Sequence, residues 1–87
     1  MEVFMVERNL KGISLEDLAD AQKAAISTAE SMRENGTDIR YIRSTFAPED
    51  GRCMCLFEAT SEQEVRQLND AAGLPYSRVV LALDLSP

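Results

Sequence analysis

Segments whose apolar residues recur at every second position alternate along this chain with segments whose period is near 3.6, and that order leaves few folds open. The run Arg52–Ala59 splits into Arg52, Met54, Leu56 and Glu58 on one phase and Cys53, Cys55, Phe57 and Ala59 on the other. Successive side chains of a strand point to opposite faces, so each set belongs to one face. Both sets contain apolar residues, and both faces are expected to be at least partly covered. Glu2–Asn9, Asp38–Phe46 and Arg78–Leu85 read as strands in the same way. In the second of these, Ile39, Tyr41, Arg43 and Thr45 are expected on one face, with Arg40, Ile42, Ser44 and Phe46 on the other.

Two helices separate the strands. Ser14 is a good N-cap, Glu16 and Asp17 suit a first turn, and Leu15, Leu18, Ala25, Ala29 and Met32 form a stripe running to about Glu34. Gln22 is the polar exception in that stripe, and Asn35-Gly36 ends it. Ser61 and Glu64 fit a reciprocal capping box for the second helix, with Val65, Leu68 and Ala72 inward and Glu62, Arg66, Asn69 and Asp70 toward water. Gly73-Leu74-Pro75 stops it. Ala47–Gly51 is short enough to join strands two and three as a hairpin. The order is β-α-β-β-α-β, an α+β ferredoxin-like arrangement in which both helices cover one face of a four-stranded antiparallel sheet. Eighty-seven residues make a single domain.

Two helices leave the other sheet face bare, yet apolar residues occupy both phases of strands one, three and four. A second copy of the chain, packed sheet to sheet as a homodimer, is the expected cover. Nine basic residues against fifteen acidic ones give a net charge of −6, which argues against nucleic acid and anionic membranes as partners. No apolar run reaches the roughly 20 residues of a membrane span. With no signal-peptide pattern at the N-terminus, a cytoplasmic location is expected.

Cys53 and Cys55 share a strand face, at Cα spacing of ~6.5–7 Å, at the edge of what a disulfide allows. They are expected as free thiols, either as small buried hydrophobes or as two donors of a metal site that a symmetry mate completes. Glu7, Arg8, Arg43 and Glu58 interrupt largely apolar strands. Glu58 suits a general base or an oxygen ligand to a metal, and Arg43 suits a carboxylate or oxyanion. Tyr41, Ser44 and Tyr76 are candidates to line a cleft with them, expected near the Glu58 end of its strand. The alternative is a cluster of ion pairs at a sheet edge. With no histidine in the chain, a Ser-His-Asp hydrolase is excluded, and no glycine-rich phosphate loop is present.

Met5–Arg8 with Leu10 and Gly12, Arg43–Phe46, Cys53–Ala59 and Asn69–Pro75 occur in an order that resembles a family of small bacterial proteins of undefined function, labelled nickel-binding-like. The resemblance spans nearly the whole chain. It implies a ferredoxin-like fold, a dimer of the α/β-barrel type and a divalent metal, nickel. Imidazole is a favoured nickel ligand and is missing here, so any metal falls to Cys53, Cys55 and Glu58. Two functions are carried forward. One is a homodimeric ligand- or metal-binding protein. The other, by fold-level analogy alone, is a cofactor-free oxygenase or isomerase with a Glu/Arg pocket.

Overall fold

A computed structural model describes all residues from Met1 to Pro87. The elements are β1 (Glu2–Asn9), α1 (Leu15–Glu34), β2 (Ile39–Ala47), β3 (Arg52–Ala59), α2 (Glu62–Ala72) and β4 (Arg78–Ala82). The strands form one antiparallel sheet in the order β2-β3-β1-β4, the ferredoxin-like topology expected. β1 and β3 pair without interruption from Glu2↔Ala59 to Asn9↔Arg52. Residues directly opposite in such a ladder share a face. Phe4 and Val6 therefore join Cys53, Cys55, Phe57 and Ala59 against Ala25 and Ala29 of α1 and Val65 and Leu68 of α2, and this is the core. Small alanines on α1 let the helix approach the sheet closely.

The opposite phase carries Val3, Met5, Met54, Leu56, Val80 and Ala82, all half-buried on the face without helices. The apolar open face expected from the sequence is present.

Strand β2 departs from simple alternation. Its register with β3 runs Tyr41↔Phe57 and then Arg43↔Leu56, so Ile42 is an extra residue in a bulge. An inserted residue reverses the phase of everything after it. Ile39 and Tyr41 face the helices before the bulge, and Ser44 and Phe46 face them after it. The expected grouping of Tyr41 with Arg43 and Thr45 is thereby corrected, and Tyr41 and Ser44 become neighbours.

Strand β4 is also shorter than expected, ending at Ala82 rather than Leu85. Its ladder with β1 ends at Ala82↔Val3, one residue short of the start of β1. Asp84 then ion-pairs with Arg43 of β2 at 2.5 Å. Because β2 and β4 are opposite edges of the sheet, the Arg43 and Asp84 side chains reach toward each other over the open face to make this contact. Leu83 and Leu85 stay outward, 81% and 84% exposed.

Three smaller expectations change. Asn69 is buried rather than wet, its Nδ2 donating to Val65 O at 2.8 Å within α2. Leu15 is 78% exposed, since the first turn of α1 has nothing packed over it. Ser61 Oγ accepts from Glu64 N as a cap should, but the Glu64 carboxylate reaches back to Thr60 N at 3.1 Å instead of closing the box on Ser61.

The β2–β3 turn is docked under the β1–α1 connection, where Leu10 N donates to Gly51 O at 2.7 Å. Gly51 is buried with φ +77°, and a Cβ there would overlap the Lys11 backbone. Left-handed backbone costs a residue with a Cβ about 1–2 kcal/mol before any clash. Gly51→Ala is expected to destabilise the fold by at least about 2 kcal/mol, seen as a melting temperature lowered by on the order of 10 °C. Gly36→Ala, at positive φ with open space around it, should cost less.

Candidate functional site

A cavity of about 140 Å³ lies between α1 and the helix-facing side of the sheet. Leu18, Ala21, Gln22 and Ala25 of α1 form one wall, and Arg8 of β1, Tyr41, Ser44 and Phe46 of β2, and Cys53 and Cys55 of β3 form the other; Leu10 and Leu74 close the end. The bulge at Ile42 builds this wall by turning both Tyr41 and Ser44 toward the helix. Each stretch that carries the family resemblance places a residue here: Arg8, Ser44 with Phe46, Cys53 with Cys55, and Leu74.

One side of the cavity is a directional hydrogen-bond relay. Gln22 Nε2 donates to Tyr41 Oη at 3.0 Å, Tyr41 Oη and Ser44 Oγ are 2.7 Å apart, and Ser44 Oγ donates to Cys55 Sγ at 3.0 Å. Gln22 Nε2 can only donate and Ser44 has given its single proton to sulfur, so the Tyr41 hydroxyl donates to Ser44. The Tyr41 ring is fixed edge-on to Phe57, with centroids 5.5 Å apart. Gln22, the polar break in the stripe of α1, is thus explained by its partner on β2.

Arg8 is the one charged residue in the wall, and it is only 5% exposed. Its Nη1 donates to Pro75 O at 3.2 Å, while Nη2 has no partner. Buried guanidinium groups are ordinarily paired with an acid, and none of the lining residues is Asp or Glu.

Cys53 and Cys55 are free thiols, their sulfurs 3.9 Å apart. Burial pushes the Cys53 thiol up to about 11, helped by the neighbouring Cys55, while the Arg8 charge works the other way. At neutral pH Cys53 therefore keeps its proton, which suits a buried apolar wall better than a nucleophile.

The remaining expected site residues lie elsewhere. Glu58 pairs with Val3 in the ladder, at the far end of β3 from Glu7 and Arg8, so the expected convergence of these three does not occur. Glu7, Arg43 and Glu58 all stand on the open face, each in an ion pair: Glu7 with Arg78 at 2.6 Å, Arg43 with Asp84, and Glu58 with Arg40 at 3.1 Å. For these three the ion-pair alternative is the observed one. Tyr76 donates to Asp70 at 3.1 Å, away from the cavity. Cys53, Cys55 and Glu58 cannot share a metal, since the thiols face the helices and the carboxylate faces the other way. No three His, Cys, Asp or Glu side chains are placed so that they could hold a metal ion together. A second copy on the open face could not complete the thiol pair either, because the sheet itself intervenes. The facing of β1 and the bulge in β2, neither of them visible in the periodicity, put Arg8 and Ser44 on the helix side of the sheet and Glu7 and Glu58 on the other.

A raised thiol pKa has a stability consequence. Between the unfolded value of 9.0 and about 11, the unfolded chain releases the Cys53 proton while the folded chain retains it. Folding is then opposed by rising pH, so the contribution is fully present below pH 9 and lost across that window. Urea titrations from pH 8 to 11 should show a steeper loss of stability in the wild type than in Cys53→Ala.

No curated protein matches the chain. Among solved structures, SCO4226 from Streptomyces coelicolor A3(2) superposes with a TM-score of 0.79 at 21% identity, covering 98% of this chain and 99% of that one. At that identity the likeness speaks for the fold. The family model described as "Nickel responsive protein SCO4226-like" matches residues 4–81, nearly the whole chain and every residue that lines the cavity. The chain belongs to the nickel responsive protein SCO4226-like family.

Proposed function

We propose that this protein is a binding module that takes one small, largely apolar molecule into the cavity beneath α1, and that it works as a homodimer joined through the open sheet faces. The cavity carries the first part. Folded interiors are close-packed, and a space of about 140 Å³ is near the size that accommodates benzene in an apolar core. Nine of the twelve lining residues are hydrophobic, the usual make-up of a small-molecule pocket.

The alternative, proton transfer in a Glu/Arg pocket, loses its base: Glu7 and Glu58 are on the other face and engaged with arginines. For nickel, the family's description is the support. The thiol pair offers two donors where closed metal sites of this kind take four. A cytoplasmic location fits two thiols kept free.

Dimerisation is supported by the character of the open face. Its six half-buried apolar residues form a contiguous band across β3, β1 and β4. The charges around them, Glu7–Arg78, Arg40–Glu58 and Arg43–Asp84, are already paired within the chain. Of the charged side chains on this face only Arg52, exposed at the end of β3, lacks a partner, so burying the central band strands no charge within it.

Ala21 lines the cavity without being fully buried, so a larger side chain can enter the space. Toluene is expected to raise the melting temperature of the wild type and to leave Ala21→Phe unchanged; a wild type indifferent to saturating toluene would overturn the binding reading. Light scattering on a size-exclusion column at micromolar concentration should give twice the chain mass for the wild type and the chain mass for Leu56→Asp. A monomeric wild type would sink the dimer.

A further inference from the structure

We infer that the molecule held in the cavity is an anion with an apolar body, a carboxylate in particular, its charged end seated on Arg8. This rests on the cavity being a binding site, as read above, and adds what the occupant must carry.

The polar groups around the cavity divide into those that are satisfied and one that is not. Gln22, Tyr41 and Ser44 donate hydrogen bonds in a line that ends at Cys55, each already holding a partner. Arg8 holds a single bond, to a backbone carbonyl, and its Nη2 is buried with nothing opposite it. A guanidinium is always charged and presents its donors as a planar fork, the shape that matches the two oxygens of a carboxylate. Left buried without a counter-charge, it is a group whose retention needs explaining.

Glu7 and Asp50 line a separate groove with Arg8, but no acid lies within ion-pair distance of its guanidinium. Glu7, beside Arg8 in the chain, points to the opposite face and pairs with Arg78 at 2.6 Å. The wall contains no Asp or Glu, and the thiol facing Arg8 across the β1–β3 ladder, Cys53, stays protonated at neutral pH. An incoming anion would supply the missing charge and the missing acceptor together. With a net charge of −6 the protein as a whole repels anions, so any preference for one must arise locally, at Arg8.

Benzoate, benzamide and benzylamine share a ring of the size the cavity takes and differ in charge at one end. Calorimetric titration of the full-length protein at pH 7 is expected to show benzoate binding at least tenfold tighter than benzamide, with benzylamine weakest. Arg8→Met should stay folded and bring benzoate down to the level of benzamide. Arg8→Lys, which keeps the charge but not the fork, should lose part of the preference. In the wild type, the Arg8 side-chain nitrogen resonances should shift with benzoate and not with benzamide, a readout that needs no variant to fold. Equal affinity for benzoate and benzamide overturns the anion and leaves the cavity standing. Failure of all three to bind, with toluene failing as well, overturns both readings. A benzoate preference that persists unchanged in folded Arg8→Met overturns the role of Arg8.

Discussion

The uninterrupted antiparallel ladder between β1 and β3 decides nearly everything else in this molecule. It pairs Phe4 with Phe57, Val6 with Cys55 and Arg8 with Cys53, and paired residues share a face. Once the helices settle on one side, the whole alternate set is committed to the other. The same parity that buries Phe57 buries Arg8 and both thiols. It also sends Glu7, Glu58 and the apolar band of Met5, Met54 and Leu56 to the open face. One slip of this register would exchange the two sets entirely, which is why the core and the cavity cannot be specified separately.

The bulge at Ile42 is the single break in that parity, and the cavity depends on it. Without the extra residue, Tyr41 and Ser44 would lie on opposite faces. With it, their hydroxyls come within 2.7 Å and join Gln22 of α1 to Cys55 of β3. A bulge interrupts ladder hydrogen bonding and bends a strand, and such features recur beside functional sites where side chains are re-aimed. Its placement on β2, an edge strand, disturbs only one neighbour.

Two kinds of charge occupy this small protein and behave differently. On the open face, Glu7, Arg40, Arg43, Glu58, Arg78 and Asp84 form exposed or half-exposed pairs, each of which contributes little to stability in water. Arg43–Asp84 still ties the segment after β4 to the opposite edge strand. Arg8 is the contrasting case: no acid neutralises it, and burial removes the water that would otherwise satisfy it. Low dielectric makes both the missing partner and any arriving one count for more. The same burial keeps the Cys53 thiol protonated at neutral pH.

The sequence by itself determined the order of elements, both helix starts, the four-stranded sheet and the presence of an apolar face the helices leave uncovered. Those follow from local periodicity and capping, at Ser14 and Ser61 for example, and local signals survive without knowledge of distant partners. Tertiary structure alone decided which phase of each strand meets the helices. Periodicity distinguishes two faces but does not label them, so Arg8, Tyr41, Ser44, Glu7 and Glu58 were all visible as candidates and could not be sorted. The end of β4 at Ala82 and the burial of Asn69 were likewise decided only in the tertiary structure. The Ile42 bulge was invisible because one extra residue in an edge strand looks, in sequence, like continued alternation. That residue places Tyr41 and Ser44 beside Arg8 and the thiols rather than beside the acids.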